Sequence, residues 1–239
     1  MRLPFSCMKC TFDGETGSIP PYPKYIELRD DGRYEFTCEK GHRTITVVQE
    51  QKFEVLFDLG AYAILDGYYR EAIASFTSSL ERFYEFFIKA CILDEGLDKE
   101  IFEAAWKNVS QQSERQLGAF IFLYCKSFLE APVLLHQKQI KLRNEVIHKG
   151  KIPTREEAIA YGESVLNIIR PIIKLVKSKF PDGVQTTVLN HIRGNRKANE
   201  NQQVGTMSIP TIISLNNDED KELTLEESLS NKEWWREHW

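Results

Sequence analysis

The sequence predicts a mainly α-helical protein, an antiparallel up-and-down helical bundle that follows a small β-rich segment. Long stretches between residues 51 and 180 repeat apolar side chains at three- and four-residue steps, as helices do. Short turn sequences separate these stretches, and helices joined by short turns pack antiparallel to their neighbours. Residues 1–50 instead combine strand-like segments with two pairs of metal-ligand residues. We therefore expect three regions: residues 1–50, the bundle at 51–180 and a C-terminal extension at 181–239.

Two pairs of residues with metal-ligand side chains lie in the first region. Two residues separate Cys7 from Cys10, and three separate Cys38 from His42. A tetrahedral site that four protein ligands close leaves no position for water or substrate, so the pattern predicts a structural Zn²⁺ ion. The alternative is a set of free cysteines placed by chance, because five cysteines, an odd number, do not indicate a disulfide framework.

Three strand-like segments lie among these ligands. Residues 24–28 and 33–37 are joined by an Asp-Asp-Gly turn at 30–32, which is a hairpin signal, and residues 44–48 form the third segment. Together with the two ligand pairs, this layout resembles a zinc ribbon. The resemblance implies a zinc-ribbon-like domain over residues 1–50.

Helical periodicity replaces the strand pattern near Gln49. Each helical stretch ends at a turn signal, such as Asp-Gly at 66–67 or Asp-Glu-Gly at 94–96. Thr154 and Glu157 form a capping box at the start of the last long helix. The predicted helices span about residues 53–64, 69–93, 99–128 as two helices interrupted near 108–113, 134–147 and 154–179.

The composition indicates one substantial core and a small appendage. The net charge of -4 gives no overall signature of a polyanion-binding protein. Residues 135–180, however, hold ten Lys and Arg against four Glu, a basic half that suits RNA. No apolar run reaches the roughly 18 residues that a membrane span needs, and the N-terminus lacks a hydrophobic signal core. We expect a soluble cytoplasmic protein without membrane association.

The C-terminal extension carries a weaker pattern. Residues 207–215 favour a strand, and residues 222–239 favour a helix with Trp234, Trp235 and Trp239. Three tryptophans indicate docking to the protein body, a second subunit or a partner. The polar composition of residues 190–206 predicts disorder.

Residues 142–150, Leu-Arg-Asn-Glu-Val-Ile-His-Lys-Gly, are the segment richest in chemical information. Arg143 is a permanent planar cation that binds phosphate oxygens in a bidentate manner, and Asn144 adds an amide. The unperturbed proton affinity of His148 lies near neutral pH. The alternative is a helix C-terminus whose His and Lys side chains favour the helix dipole and have no further function.

Arg143, with Asn144 directly after it and His148 after four intervening residues, resembles the motif of the HEPN family. These are helical-bundle proteins, many of them ribonucleases. Residues 67–72 with 79–81 resemble the early helix pair of such proteins, in which an acidic residue lies inside, and the likeness covers about residues 55–179. Glu81 then has two interpretations, an ion-pair partner of an arginine or a catalytic group.

The resemblance implies metal-independent cleavage of RNA by a homodimer whose two motifs face one another. It also implies a toxin or antiphage defence role with a regulatory protein partner. On an ideal helix Arg143 and His148 lie about 140° apart, whereas Asn144 and His148 share a face, so we expect His148 at or past the helix end. His148 would transfer protons, Arg143 would stabilise the charged phosphorus intermediate, and Asn144 would orient His148 or donate to a phosphate oxygen.

Two other hypotheses remain open. A catalytically silent HEPN module would bind RNA or nucleotide, or act as an assembly platform. Alternatively, the zinc ribbon would dock on nucleic acid or protein while the bundle dimerises. Seven basic and eight acidic residues in the first fifty give the ribbon no strong electrostatic attraction to a nucleic-acid backbone.

Overall fold

The structure is a computed structural model that describes residues 1–12, 23–195, 204–216 and 223–238. It is mainly helical with a small β region near the N-terminus, which confirms the predicted helical class. The chain divides into two compact units. The N-terminal unit comprises Met1–Glu50 and Val188–Pro210, and the helical unit comprises Gln51–Thr187 and Thr211–Trp239.

The N-terminal unit contains two small sheets. Its elements are β1 Arg2–Phe5, α1 Met8–Phe12, β2 Lys24–Glu27, β3 Arg33–Thr37, β4 Arg43–Val48 and β5 Val204–Met207. β1 pairs with β2 in antiparallel fashion, while β4 lies between antiparallel β3 and parallel β5. Phe5 packs on Tyr34 with ring centroids 4.2 Å apart, and both belong to the apolar core of this unit.

The hairpin predicted across residues 30–32 is wrong. β2 pairs with β1, and β3 pairs with β4 through the turn that contains Gly41 at φ 79°. Cys38 N–H donates to the His42 carbonyl at 3.0 Å and closes this turn. β3 therefore takes β4 as its neighbour, and β4, buried at every position after Arg43, is the central strand of its sheet.

The helical unit is organised around one long helix. Its elements are α2 Lys52–Leu65, α3 Tyr69–Asp94, α4 Lys99–Trp106, α5 Ser113–Phe128, α6 Gln137–Lys149, α7 Arg155–Lys179, α8 Pro181–Gly194 and α9 Leu225–His238. Residues of α8 after Thr187 belong to the N-terminal unit. α3 packs against α2, α5, α6 and α7. Aromatic side chains fill the core between these helices, as in the contacts of Phe57 with Phe76 at 4.8 Å and of Phe87 with Phe120 at 5.0 Å.

Most predicted helices form close to their predicted bounds. α3 and α7 each lie within one residue of prediction, and two helices occupy residues 99–128. The capping box is confirmed because the Thr154 hydroxyl accepts from Glu157 N–H at 3.2 Å while the Glu157 carboxylate accepts from Thr154 N–H at 3.0 Å. The up-and-down order of the bundle stays a prediction.

The C-terminal extension departs from its predicted pattern. α8 extends to Gly194 and β5 begins at Val204, so the predicted disorder of 190–206 is wrong for those parts, and residues 196–203 lie outside the described ranges. The strand expected at 207–215 is also wrong, since β5 ends at Met207. The predicted last helix is present as α9, although Trp239 and the Trp235 side chain lie outside the description.

Residues 211–216 attach to α2 through hydrogen bonds to buried carboxylates. Asp58 accepts from Ile212 N–H at 2.9 Å, and Glu54 accepts from Leu215 N–H at 2.7 Å. Lys232 of α9 pairs with the same Asp58 at 2.5 Å. Burial raises the pKa of Asp58, while the positive charge of Lys232 opposes that rise. This segment is therefore a structural part of the helical unit.

Replacing Gly183 by alanine should lower the free energy of unfolding by about 1–3 kcal/mol or more, because overpacking displaces backbone. An added Cβ would lie 1.9 Å from the Ala90 carbonyl oxygen, so α8 and α3 would have to separate. Gly118→Ala is the matched control, since nothing lies within 4 Å of a Cβ at this helix-interior position. Gly118→Ala should raise the free energy of unfolding by about 0.5–1 kcal/mol, because alanine has a higher helix propensity than glycine. Urea unfolding of both variants measures the difference, and equal stabilities would contradict the close packing of α8 on α3.

Candidate functional site

The four predicted metal ligands come together in the N-terminal unit. Cys7 and Cys10 lie just before and within α1, and Cys38 and His42 lie at the two ends of the β3–β4 turn. Their ligand atoms all lie within 4.8 Å of one another. None of these cysteines forms a disulfide, so the cluster can bind a metal ion.

The spacing of the ligand atoms matches a tetrahedral ion. With metal–sulfur bonds of about 2.3 Å and metal–nitrogen bonds of about 2.0 Å, tetrahedral edges are about 3.8 Å between two sulfurs and about 3.5 Å between sulfur and nitrogen. Cys10 Sγ lies 3.8 Å from Cys38 Sγ. The His42 Nδ1 atom lies 3.3 Å from Cys10 Sγ and 3.9 Å from Cys7 Sγ. These three separations are close to the tetrahedral edges, so the cluster can hold a metal ion.

The electrostatics of the cluster favour a cation. Burial acts to raise the pKa of Cys7, but hydrogen bonds, including one from the Thr44 hydroxyl at 3.2 Å, lower it to about 6. Burial and the neighbouring sulfurs of Cys7 and Cys38 raise the pKa of Cys10 to about 11. Adjacent thiolates repel one another, and a bound cation removes that repulsion. No sequence pattern marked Thr44 as part of the site. Its hydroxyl donates to Cys7 only because β4 brings the two residues together.

Arg143 lies on the packed side of α6 in the helical unit. Its side chain is half-buried, and its Nε atom is fully buried without a hydrogen-bond partner among the described residues. Burial raises the pKa of Tyr161 on α7, and the positive charge of Arg143 opposes that rise. An unpartnered buried N–H of a cation is rare, because burying a charge is unfavourable unless another group compensates it.

A relay of two hydroxyl groups joins Tyr161 of α7 to α3. The Thr77 hydroxyl donates to the Ile73 carbonyl at 2.8 Å, so the Tyr161 hydroxyl, 2.8 Å from the Thr77 oxygen, donates its proton to Thr77. The lone pairs of the Tyr161 oxygen are then left for a positive neighbour. Sequence patterns gave no sign of this relay, since Thr77 and Tyr161 lie on different helices.

Glu81 is half-buried near two tyrosines. Burial raises the pKa of Tyr84, and the negative charge of Glu81 adds to that rise. Glu81 also acts on Tyr161. In the described part of the chain Glu81 forms no ion pair, so the arginine partner that the sequence offered for it is not present there. Glu81 and Arg143 instead act on Tyr161 with opposite charge.

Asn144 and His148 are exposed on the opposite side of α6 from the packed core. His148 lies in the last turn of the helix, which ends at Gly150 with φ 72° in the left-handed region. His148 thus lies at the helix end and not beyond it. No hydrogen bond or ion pair in the described ranges joins any two of Arg143, Asn144 and His148, so one chain does not bring Arg143 and His148 into contact.

Ion pairs of Lys151 lie in the turn that follows the motif. Lys151 pairs with Glu157 at 2.7 Å and with Glu145 at 3.7 Å, and its pKa is raised chiefly by the hydrogen bond to Glu157. This network links α6 to the start of α7. It fixes the direction in which the last turn of α6, with His148, faces solvent.

No protein-family model, curated protein or solved structure matches this chain. The HEPN resemblance therefore rests on the residues of the motif and the helix pattern around it. Within the described ranges, no helix combines the length and apolar character that crossing a membrane requires.

Proposed function

We propose that this chain is a metal-independent endoribonuclease of the HEPN type that acts as a homodimer. One observation carries the proposal: the half-buried side chain of Arg143, whose buried Nε has no hydrogen-bond partner among the described residues, lies on the helix that exposes Asn144 and, in its last turn, His148. A cation with such an N–H group is a favourable place for an anion to bind. A phosphate group supplies both the negative charge and the acceptor oxygens that Arg143 lacks.

The proposed reaction uses the substrate's own hydroxyl as the nucleophile. A base removes the proton from a ribose 2′-hydroxyl, and the bond from that oxygen to the adjacent phosphorus forms. The bond from phosphorus to the 5′-oxygen then breaks, and an acid protonates this leaving oxygen. The products are a 2′,3′-cyclic phosphate and a 5′-hydroxyl, so no activated water is needed. His148 transfers protons, Arg143 stabilises the negative charge on the phosphoryl oxygens, and Asn144 donates to a phosphate oxygen or orients His148.

The geometry of α6 supports the proposed homodimer. Arg143 faces the packed side and His148 faces solvent, and two proton transfers need two groups. A two-fold axis through the site would place His148 of each copy near Arg143 of the other. Exposed apolar side chains flank α6 in sequence: Leu129 is 92% exposed, Val133 72% and Ile152 83%. Such residues favour a protein interface beside the motif.

A catalytically silent module is the second candidate. The observation that favours it is that His148 makes no hydrogen bond in the described part of the chain, so nothing in a single copy fixes its ring or its tautomer. The same residues would then bind RNA or nucleotide without turnover, or the module would act as an assembly platform. RNA binding without cleavage would support this candidate. A toxin or defence role with a regulatory protein partner stays a prediction.

The ion in the N-terminal unit is proposed to be zinc with a structural role. Three thiolates and one imidazole form a ligand set that suits Zn²⁺, and four protein ligands leave no open coordination position. Balanced charge over residues 1–50 offers little support for a ribbon that binds nucleic acid by itself.

Purified protein should carry about one zinc ion per chain, because the ligands are preorganised for a tetrahedral ion. Cys10→Ser should remove most of the metal and make residues 1–50 sensitive to protease, while the helical unit keeps its helical signal. Cys125→Ser is the matched control, because Cys125 is a free cysteine outside the cluster, and it should keep the zinc. Elemental analysis with limited proteolysis measures both. Metal-free wild-type protein with a protease-resistant N-terminal unit would refute the assignment.

The protein should sediment as a dimer at micromolar concentration, because the proposed chemistry needs a second copy of the motif. Analytical ultracentrifugation of the full chain measures this. A monomer that cleaves RNA would contradict the composite site.

His148→Ala and Arg143→Ala should each slow RNA cleavage by about a hundredfold or more, the usual scale for losing proton transfer or charge stabilisation. Helical content should not change, because the His148 side chain is exposed and that of Arg143 is only half-buried. His136→Asn is the matched control: His136 is an exposed histidine whose side chain caps α6, and asparagine can also cap a helix.

Cleavage should persist in EDTA for as long as the N-terminal unit stays folded, and the 5′ fragments should end in cyclic phosphate. Mass spectrometry of the fragments identifies these ends. A 3′-hydroxyl product would point to activated water and overturn the mechanism. Wild-type protein that binds RNA and leaves it intact would favour the silent module.

A further inference from the structure

The exposed face of α6 carries lysines that the proposed chemistry does not use. Lys138, Lys141 and Lys149 are all exposed, as are Asn144 and His148. We call Lys138, Lys141, Asn144 and His148 the α6 stripe. Glu145, the one acidic residue of α6, is half-buried and its carboxylate lies 3.7 Å from Lys151. The stripe therefore presents positive charge to solvent.

The spacing of the stripe aligns Lys141 with His148 and places Lys138 about 80° away from His148 around the helix axis. Lys141 precedes His148 by seven residues, which is about two helical turns and about 10 Å of rise, so the two side chains lie within about 20° on one face. Asn144 lies between them on that face, and Lys138 lies one turn before Lys141. A row of cations thus leads from His148 toward the N-terminal end of α6.

These lysines differ from others in the helical unit. Lys89 pairs with Glu85 at 2.6 Å and Lys126 with Glu95 at 2.7 Å. Lys138, Lys141 and Lys149 form no ion pair in the part of the chain that is described. The charge of Lys138 does act on Glu157, but that carboxylate is bonded to Lys151 at 2.7 Å. The charge of the stripe is therefore available to a ligand.

We propose that the α6 stripe binds the phosphate backbone of single-stranded RNA, so that the substrate runs from the cleaved bond along α6 past Lys141 to Lys138. This inference rests on the proposed function and specifies its substrate. Charge complementarity selects a polyanion, and a single row of cations along one helix fits one strand. In-line attack by a 2′-hydroxyl also needs a nucleotide that has left the regular stack of a duplex, and unstacked bases occur in single strands.

Binding can be measured apart from cleavage with a fluorescent 12-nucleotide RNA that carries 2′-O-methyl groups, which has no attacking hydroxyl. Lys138→Gln and Lys141→Gln should each weaken its affinity several-fold, to a similar extent for different base sequences. The double variant should reduce the slope of log affinity against log salt by about 1.4, at about 0.7 for each lost phosphate contact. Glutamine keeps high helix propensity, so α6 should stay folded.

Lys107→Gln is the matched control. Lys107 is an exposed lysine at the end of α4 and, like the stripe lysines, forms no ion pair in the described ranges. Its replacement should leave affinity and salt slope unchanged. On cleavable RNA the double variant should lower kcat/KM for a 12-mer and leave the rate on a dinucleotide unchanged, because a dinucleotide does not reach Lys141.

Several outcomes would overturn the inference. One is an unchanged affinity and salt slope for the double variant, and another is an equal weakening of affinity by Lys107→Gln. Tighter binding of duplex than of single-stranded RNA would also overturn it. So would a lack of RNA binding by the wild-type protein, which is expected if the stripe binds an acidic protein instead. Failure of the proposed function gives a different result. Protein that binds RNA through the stripe and leaves cleavable RNA intact would retain the binding site and refute the ribonuclease.

Discussion

The burial of α3 on almost all sides is the constraint on which the helical unit depends. This helix of 26 residues buries apolar side chains around most of its circumference, so no single neighbour can cover it. α2, α5, α6 and α7 each cover part of its surface. The position of α6, and with it the position of Arg143, follows from this packing. A site built on such a helix inherits the rigidity of the core beneath it.

The buried carboxylates of α2 explain why the C-terminal segment belongs to the helical unit. Glu54 and Asp58 are almost fully buried and would be strongly unfavourable there without partners. Backbone N–H groups of Ile212 and Leu215 and the ammonium of Lys232 supply those partners. Removing the segment would take a backbone hydrogen bond from each carboxylate and the ion pair from Asp58, and losing partners at buried groups destabilises more than losing the same contacts on a surface. The extension is thus held by hydrogen bonds and an ion pair as well as by apolar packing.

Local signals in the sequence predicted the ligand cluster and most helices, because ligand spacing and apolar period are set by neighbouring residues. Cys7, Cys10, Cys38 and His42 were found by spacing alone.

The errors in the predicted fold arise where residues that are distant in sequence determine the local structure. β2 pairs with β1 and not with β3, although the turn at 30–32 favours a hairpin. The sequence did not predict α8, because this segment is largely polar. The close packing of Gly183 on the Ala90 backbone becomes visible only in the structure. The buried Nε of Arg143 and the Thr77 relay depend on packing between helices, which no single-sequence pattern reports.

The five-residue step from Arg143 to His148 shapes how the motif can work. A step of four or seven would place both side chains on one face of α6, and one chain could then form the site. A step of five turns them about 140° apart, so one side chain contacts the packed core while the other meets solvent. Arg143 thereby lies half-buried on the packed side of α6, and His148 is exposed on the same face as Lys141. Because α6 continues helical through Lys149, this separation is not removed by unwinding at the motif. A second copy of the chain is then the simplest source of an imidazole near each guanidinium.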